Sequence, residues 1–383
     1  MPKTLTDAKP NTMTITLRLF LAFIFILVIP YVALSQDIDH LIFKTGNALL
    51  KNKEIRAVSI GVYKDGEKYT GHFGSIAQGE STPPNDETIY EIASVTETFT
   101  GYLAAKAVKE GRIKLNDDIR TYLEGDFNNL EFEGKVITIK HLLTHTAGMP
   151  HFMDQRLTEA YDKLATDAPF KVAEFDADFS KEEFFKALAR LELKAVPGTE
   201  YSYSNAGAEL VGYILTVVNQ KSIDELFQEA ILEDANMTNT AIRLNEEQKT
   251  RLIKGYWLNN SIPSPNQFNP LWASGHGLKS TLADLMNYIE FNLKEDNPIL
   301  DESHELLYEK GTRWMGYFWN IWKDKHGTSF NHHGGASGMQ NWLYLFPKYN
   351  LGISLIVNHS GDKTPRKLSK AANSILKELA DKN

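Results

Sequence analysis

Glu91-Ile92-Ala93-Ser94-Val95-Thr96-Glu97-Thr98-Phe99 is the stretch on which the reading of this chain turns. Phe99, Leu103 and Ala107 continue it at helical spacing, so Ser94 stands at the head of an amphipathic helix with a buried stripe. By its letters Ser94-x-x-Glu97 is a capping box, in which the serine accepts from an early backbone N–H and the glutamate reaches back. A serine at a helix start is also where a nucleophile gains from the helix's positive end, so cap and nucleophile share one geometry. Farther along, Tyr203-Ser204-Asn205 follows a Pro197-Gly198 turn, and His332-His333-Gly334-Gly335 precedes a pair of strand-like segments.

The rest of the chain bounds the classes open to it. With 383 residues it is long enough for one large catalytic unit, and no linker, repeat or low-complexity tract divides it. A net charge of −8 leaves no broad basic surface, which argues against nucleic acid and for a small-molecule or peptide substrate. No residue is cysteine, which removes disulfides, thiol catalysis and cysteine-ligated zinc. After Arg18 an apolar run, Leu19 to Ile29, leads to Pro30 and the small-x-small Ala33-Leu34-Ser35, the pattern of an export signal over residues 1–35. The competing reading is an uncleaved anchor, although Leu19 to Leu34 falls short of the roughly 20 residues a spanning helix needs. The signal reading places residues 36–383 in the periplasm or outside the cell, and membrane contact follows only if the segment is retained.

Alternating Val58, Ile60 and Val62, then Asp65-Gly66, then Tyr69 and Phe73 predict a β-hairpin. Trp342 to Phe346 and Leu351 to Val357 predict a second, followed by a helix over Arg366 to Ala380. The centre, about 94–293, is mostly helical in pattern. The expected fold class is therefore α+β, with N- and C-terminal strands meeting in one antiparallel sheet flanked by helices, and a mostly helical central subdomain. Trp314, Phe318, Trp319 and Trp322 read as a core strand in preference to an exposed acyl pocket.

Four blocks, taken together and in order, resemble the class C β-lactamase-like and penicillin-binding serine hydrolases. They are Glu91 to Thr96, Thr138 to Gly148, Pro197-Gly198 with Tyr203-Ser204-Asn205, and Ser274 to Thr281, and the resemblance extends from about Asp39 to the C-terminus. It implies a β-lactamase/transpeptidase-like fold and no cofactor. It also implies that Ser94 is an acylating nucleophile, that Tyr203 moves the proton between nucleophile and leaving group, and that Asn205 holds the substrate's amide. His332-His333-Gly334 takes the place of the family's K-T-G motif, with His332 facing the substrate or the tyrosine and His333, Gly334 and Gly335 bordering the substrate. Two adjacent histidines also raise a metal reading, but strand neighbours point to opposite faces and no ligand cluster accompanies them, so none is expected. His141 and His145, four apart, fall in a block that is structural in the family.

One position departs from the resemblance. The serine of S-x-x-K is followed by its lysine one turn later, and here that residue is Glu97. A carboxylate there raises the pKa of Tyr203 and repels a developing oxyanion, which costs activity unless the glutamate is itself the base or pairs with His332. Two readings stay open: a secreted serine hydrolase acting on a peptide, ester or lactam, in which Ser94, Glu97, Tyr203 and His332 share the chemistry, or a catalytically silent relative that binds a cell-wall peptide or similar ligand. Within the first, β-lactamase activity ranks behind esterase and peptidase activity, because deacylation makes the greatest demand on the relay. Substrate identity and oligomeric state are not legible.

Overall fold

Both expected hairpins form. In the computed structural model, which describes residues 35–163, 165–267 and 271–380, β1 (Ala57–Lys64) and β2 (Glu67–Gly74) are joined by Asp65 and Gly66. These two residues sit at φ of 51° and 95°, the paired left-handed geometry that a tight hairpin turn demands. The candidate export signal lies almost wholly outside the described residues, and among the described residues no helix is long and apolar enough to cross a membrane.

Six further strands come late in the chain: β3 (Tyr308–Lys310), β4 (Arg313–Gly316), β5 (Trp319–Asp324), β6 (Gly327–Gly335), β7 (Gln340–Phe346) and β8 (Leu351–Val357). They complete an eight-stranded sheet of order β2-β1-β8-β7-β6-β5-β4-β3. Every neighbouring pair is antiparallel, and β1 lies between β2 and β8 with Ile60 opposite Leu355, so the two ends of the described chain meet in the sheet as expected. The period of two divides the side chains between two cores. Val58, Ile60 and Val62 join Ile353, Leu355 and Val357 beneath a helix over residues 35–50 and the C-terminal helix Thr364–Ala380. The latter contributes Leu368, Ala372, Ile375, Leu376 and Leu379, one stripe at helical spacing.

The opposite face carries the larger core and the site. Helix Leu282–Asn292 lies so close to the sheet that a Cβ on Gly352 would stand 2.1 Å from Ile289 Cγ2. Helices Thr96–Lys109 and Asn205–Asn219 belong to the same core, which takes in Phe99, Leu103, Leu210 and Ile214. The helical centre therefore sits on one face of a sheet built from the chain's ends, an α+β arrangement.

Candidate active site

Ser94 occupies a single 3₁₀ turn, Ala93–Val95, leading into helix Thr96–Lys109. Ala93 is held at φ 46°, left-handed for a residue with a Cβ, and this kink presents the half-buried Ser94 side chain to a cavity. Neither Ser94 nor Glu97 caps the helix: its N-cap, Val95, has no side-chain hydrogen bond. The capping-box reading therefore fails, because both side chains are turned toward Tyr203.

The second block explains where Tyr203 stands. Gly198 N–H donates to Thr146 O at 2.8 Å, Ser202 N–H to His145 O at 2.8 Å and Ala206 N–H to His151 O at 3.1 Å, so residues 198–206 are laced along 145–151. Ser204 then caps helix Asn205–Asn219 by accepting from Gly207 N–H at 2.9 Å. The fourth block is tied to the first: Ile92 N–H donates to Leu278 O at 3.2 Å, Leu278 N–H to Thr96 Oγ1 at 3.1 Å, and Thr100 Oγ1 to Ser274 O at 2.7 Å. All four blocks are thus one hydrogen-bonded assembly around the serine.

Strand β6 closes the site. Asn341 Nδ2, from β7, donates to Ile92 O at 3.0 Å, pulling the strands against the Ser94 turn. Gly334 lies at that contact: a Cβ there would fall 2.2 Å from Ile92 O and 2.4 Å from Asn341 Nδ2. Gly334 packs against the turn and does not border the cavity, whereas Gly335, His332 and His333 do. Although strand neighbours, both histidines reach the cavity wall, but His332 is the one that meets Glu97. His333 Nε2 lies 3.2 Å from Gln340 Oε1, and burial holds its imidazole down at about 4.

At the centre is the Tyr203 hydroxyl, 2.7 Å from Ser94 Oγ, 2.8 Å from Glu97 Oε1 and 3.3 Å from Asn205 Oδ1. A phenol has one proton to donate. A buried carboxylate is the strongest acceptor of the three, so that proton belongs on Glu97, and Ser94 in turn donates to the phenol oxygen. Burial raises the Tyr203 pKa well above its usual 10, and the Glu97 charge adds to the rise, so Tyr203 is a neutral donor. This is the direction expected for a carboxylate in the lysine's place. Glu97 has no solvent exposure, which pushes its carboxyl up, but His145 and His332 more than reverse that and bring it down to about 2. His332 Nε2 lies 3.0 Å from Glu97 Oε2, off the line of a well-formed hydrogen bond.

The cavity holds about 400 Å³ and is bordered by Ser94, Tyr203, Asn205, His332, His333 and Gly335 from the expected set. It also takes in His145, His151, His276 and Arg313, which the sequence reading did not assign to the site. Asn205 Nδ2 is 2.9 Å from His151 Nε2, so the amide expected to hold substrate is engaged on both sides before substrate arrives. Burial lowers the pKa of His151 and takes that of His276 to about 4. Of the aromatic group read as core, Phe318 and Trp319 are fully buried, but Trp322 is 51% exposed and borders the cavity.

Ser94 on a kinked turn before a buried helix, the Tyr203 hydroxyl beside it and strand β6 along the cavity form the arrangement that the resemblance implied. The chain belongs to the Beta-lactamase family, whose model matches residues 42–376. Among its relatives, Protein flp of Staphylococcus aureus (strain MRSA252) is 28% identical over 83% of this chain, which spans only 62% of that protein's length. The D-alanyl-D-alanine-carboxypeptidase/endopeptidase AmpH of Escherichia coli is 22% identical over 89% of this chain and 87% of its own. In structure, a β-lactamase/D-alanine carboxypeptidase from Yersinia pestis, crystallised with citrate, matches with a TM-score of 0.75 at 20% identity, over 90% of this chain and 98% of that one. That likeness establishes the fold.

Proposed function

We propose that the protein is a serine hydrolase acting by acyl transfer on a peptide, ester or lactam carbonyl, exported from the cytoplasm and directed at a small-molecule or cell-wall-derived peptide substrate. The observation that carries this reading is the Tyr203 hydroxyl, which bridges Ser94 Oγ at 2.7 Å and Glu97 Oε1 at 2.8 Å. In acylation, Ser94 Oγ bonds to the carbonyl carbon while its proton passes to Tyr203 and the phenol proton passes to Glu97. The developing oxyanion lies at the head of helix Thr96–Lys109, whose positive end favours it. On collapse the bond to the leaving nitrogen or oxygen breaks, and the proton returns from Glu97 through Tyr203 to that atom. Water then attacks the acyl-enzyme, gives its proton to the same path, and releases the acid and Ser94. Glu97 thereby takes the lysine's place in the path as an ionised but weakly basic acceptor, its pKa near 2, which holds the proton only in passing.

Support for this path also comes from the surroundings of Glu97, where two imidazoles face its Oε2 and keep the carboxyl ionised. The likeness to AmpH, a D-alanyl-D-alanine-carboxypeptidase/endopeptidase, supports a D-alanyl peptide as one substrate class. The test is labelling of the native protein, Ser94→Ala and Glu97→Lys with a fluorophosphonate and with a fluorescent penicillin, followed by mass spectrometry. Label on Ser94 in the native protein and none in Ser94→Ala is the expected result. Label only in Glu97→Lys would replace this reading with a scaffold whose chemistry is switched off and whose cleft binds a ligand.

A further inference from the structure

Two histidines face the same oxygen of Glu97, and they are not equivalent. His332 Nε2 lies 3.0 Å and His145 Nε2 3.5 Å from Glu97 Oε2. The other ring nitrogen of each decides what it can do. His332 Nδ1 is 3.0 Å from the His333 carbonyl, which only accepts, so Nδ1 carries a hydrogen while Nε2 faces Glu97. His145 Nδ1 is 3.2 Å from the Ser204 backbone N–H, which only donates, so Nδ1 keeps its lone pair and the ring hydrogen must sit on Nε2. A second proton on His145 would set two N–H groups against each other in a fully enclosed place, with the rings of Tyr203 at 4.6 Å and Phe318 at 5.2 Å. Neither His145 Nε2 nor Glu97 Oε2 makes a well-formed hydrogen bond, to each other or to any other group, and the two face each other across 3.5 Å.

We propose that His145 is a positioning residue, locked by Ser204 as a neutral Nε2–H donor aimed at Glu97, which keeps that carboxylate ionised in place of the family lysine's charge. His332 faces the same oxygen from strand β6. This rests on the reading that Glu97 accepts the proton relayed from Ser94. The other titratable groups that feel Glu97 are the Tyr203 phenol and, farther away, Tyr201, His151 and His276. The same tie explains why the Ser204 N–H is spent on a side chain: it fixes a tautomer.

The decisive variants are His145→Phe, which keeps the ring's bulk and loses the donor, and His145→Gln, whose amide extends an N–H to the Nε2 position. His145→Asn reaches only as far as Nδ1, so it retains the Ser204 contact without the donor and serves if the Phe variant fails to fold. The rate of Ser94 acylation by the fluorophosphonate is followed from pH 4 to 9, with KM for a neutral ester as a second readout. The native rate is expected to show no carboxyl limb above about pH 4, while Phe and Asn gain an acid limb whose midpoint rises by about three pH units, to near 5, as burial acts without the donor. At pH 4 this is roughly a tenfold loss with KM little changed, and Gln restores the native profile. An unchanged profile in Phe and Asn, or a shift as large in Gln, overturns the proposal. Should the native protein not acylate at all, the hydrolase reading falls, and His145 is judged separately by ¹³C-carboxyl titration of Glu97, assigned by the signal lost in Glu97→Gln. A Glu97 midpoint the same in native, Phe and Asn forms overturns it there too.

Discussion

Replacing Glu97 by glutamine should stop the chemistry while sparing the architecture. The side chain keeps its size and its place at the head of the buried helix, 2.8 Å from the Tyr203 hydroxyl, but an amide is not a base. Burial, the larger cause of the raised Tyr203 pKa, persists in the variant, and the neutral phenol cannot take the Ser94 proton without passing its own onward. With no terminal acceptor, acylation should lose the whole general-base contribution, about 10²–10⁴-fold, or roughly 3–5 kcal/mol in the barrier. The assay is the second-order rate of fluorophosphonate labelling at pH 7.5 for native, Glu97→Gln and Glu97→Asp proteins, with near-UV circular dichroism to confirm that packing is retained. Aspartate keeps the charge at a longer reach and should fall between the two. If the glutamine variant labels at more than about one tenth of the native rate, Glu97 is not the base and the relay is misassigned.

Tyr203→Phe should abolish labelling by about 10²-fold or more and also lower stability by about 1–3 kcal/mol, because it strips the buried Glu97 Oε1 of its donor; urea unfolding checks the second part. Acid should destabilise the protein through Glu97: its folded pKa lies at about 2, below the ordinary 4.5, so its contribution of about 3 kcal/mol is fully present above pH 4.5 and disappears as pH falls toward 2. Urea midpoints at pH 7, 4 and 3 should fall more steeply in the native protein than in Glu97→Gln, and parallel slopes would contradict this. Gly334→Ala should cost about 1–3 kcal/mol and lower labelling, since its Cβ would lie 2.2 Å from the Ile92 carbonyl beside the nucleophile; a melting temperature equal to native would show that the strand can step back.

The parts of this site carried by local pattern were legible before any coordinates. Alternation of Val58, Ile60 and Val62 around Asp65-Gly66 specifies a hairpin by itself, and the ordered blocks brought Ser94, Tyr203 and His332 to one place. The sign of the effect of Glu97 on Tyr203 followed from charge alone. What stayed hidden depends on backbone contacts between distant segments. His145 looked structural because nothing in Thr144-His145-Thr146 announces that the Ser204 N–H will bind its Nδ1 and turn its Nε2 toward Glu97. His151 became a site residue through its contact with Asn205, and Gly334 left the substrate wall because β6 leans on Ile92. Trp322 was taken for core since strand periodicity cannot say where a sheet ends and a cleft begins.

The pairing of β1 with β8 has a cost in time. Ala57 N–H finds its partner, Asn358 Oδ1, 301 residues farther along the chain. A ribosome adding about 5–20 residues per second needs roughly 15–60 seconds to bridge that interval, during which β1 offers an unpaired apolar edge to any other strand nearby. His332 and the strands that clamp the Ser94 turn are also made last, so no nascent intermediate carries a working site. A polypeptide of this topology is exposed to mispairing while it is made, and its yield in a cell-free system should respond to added chaperone.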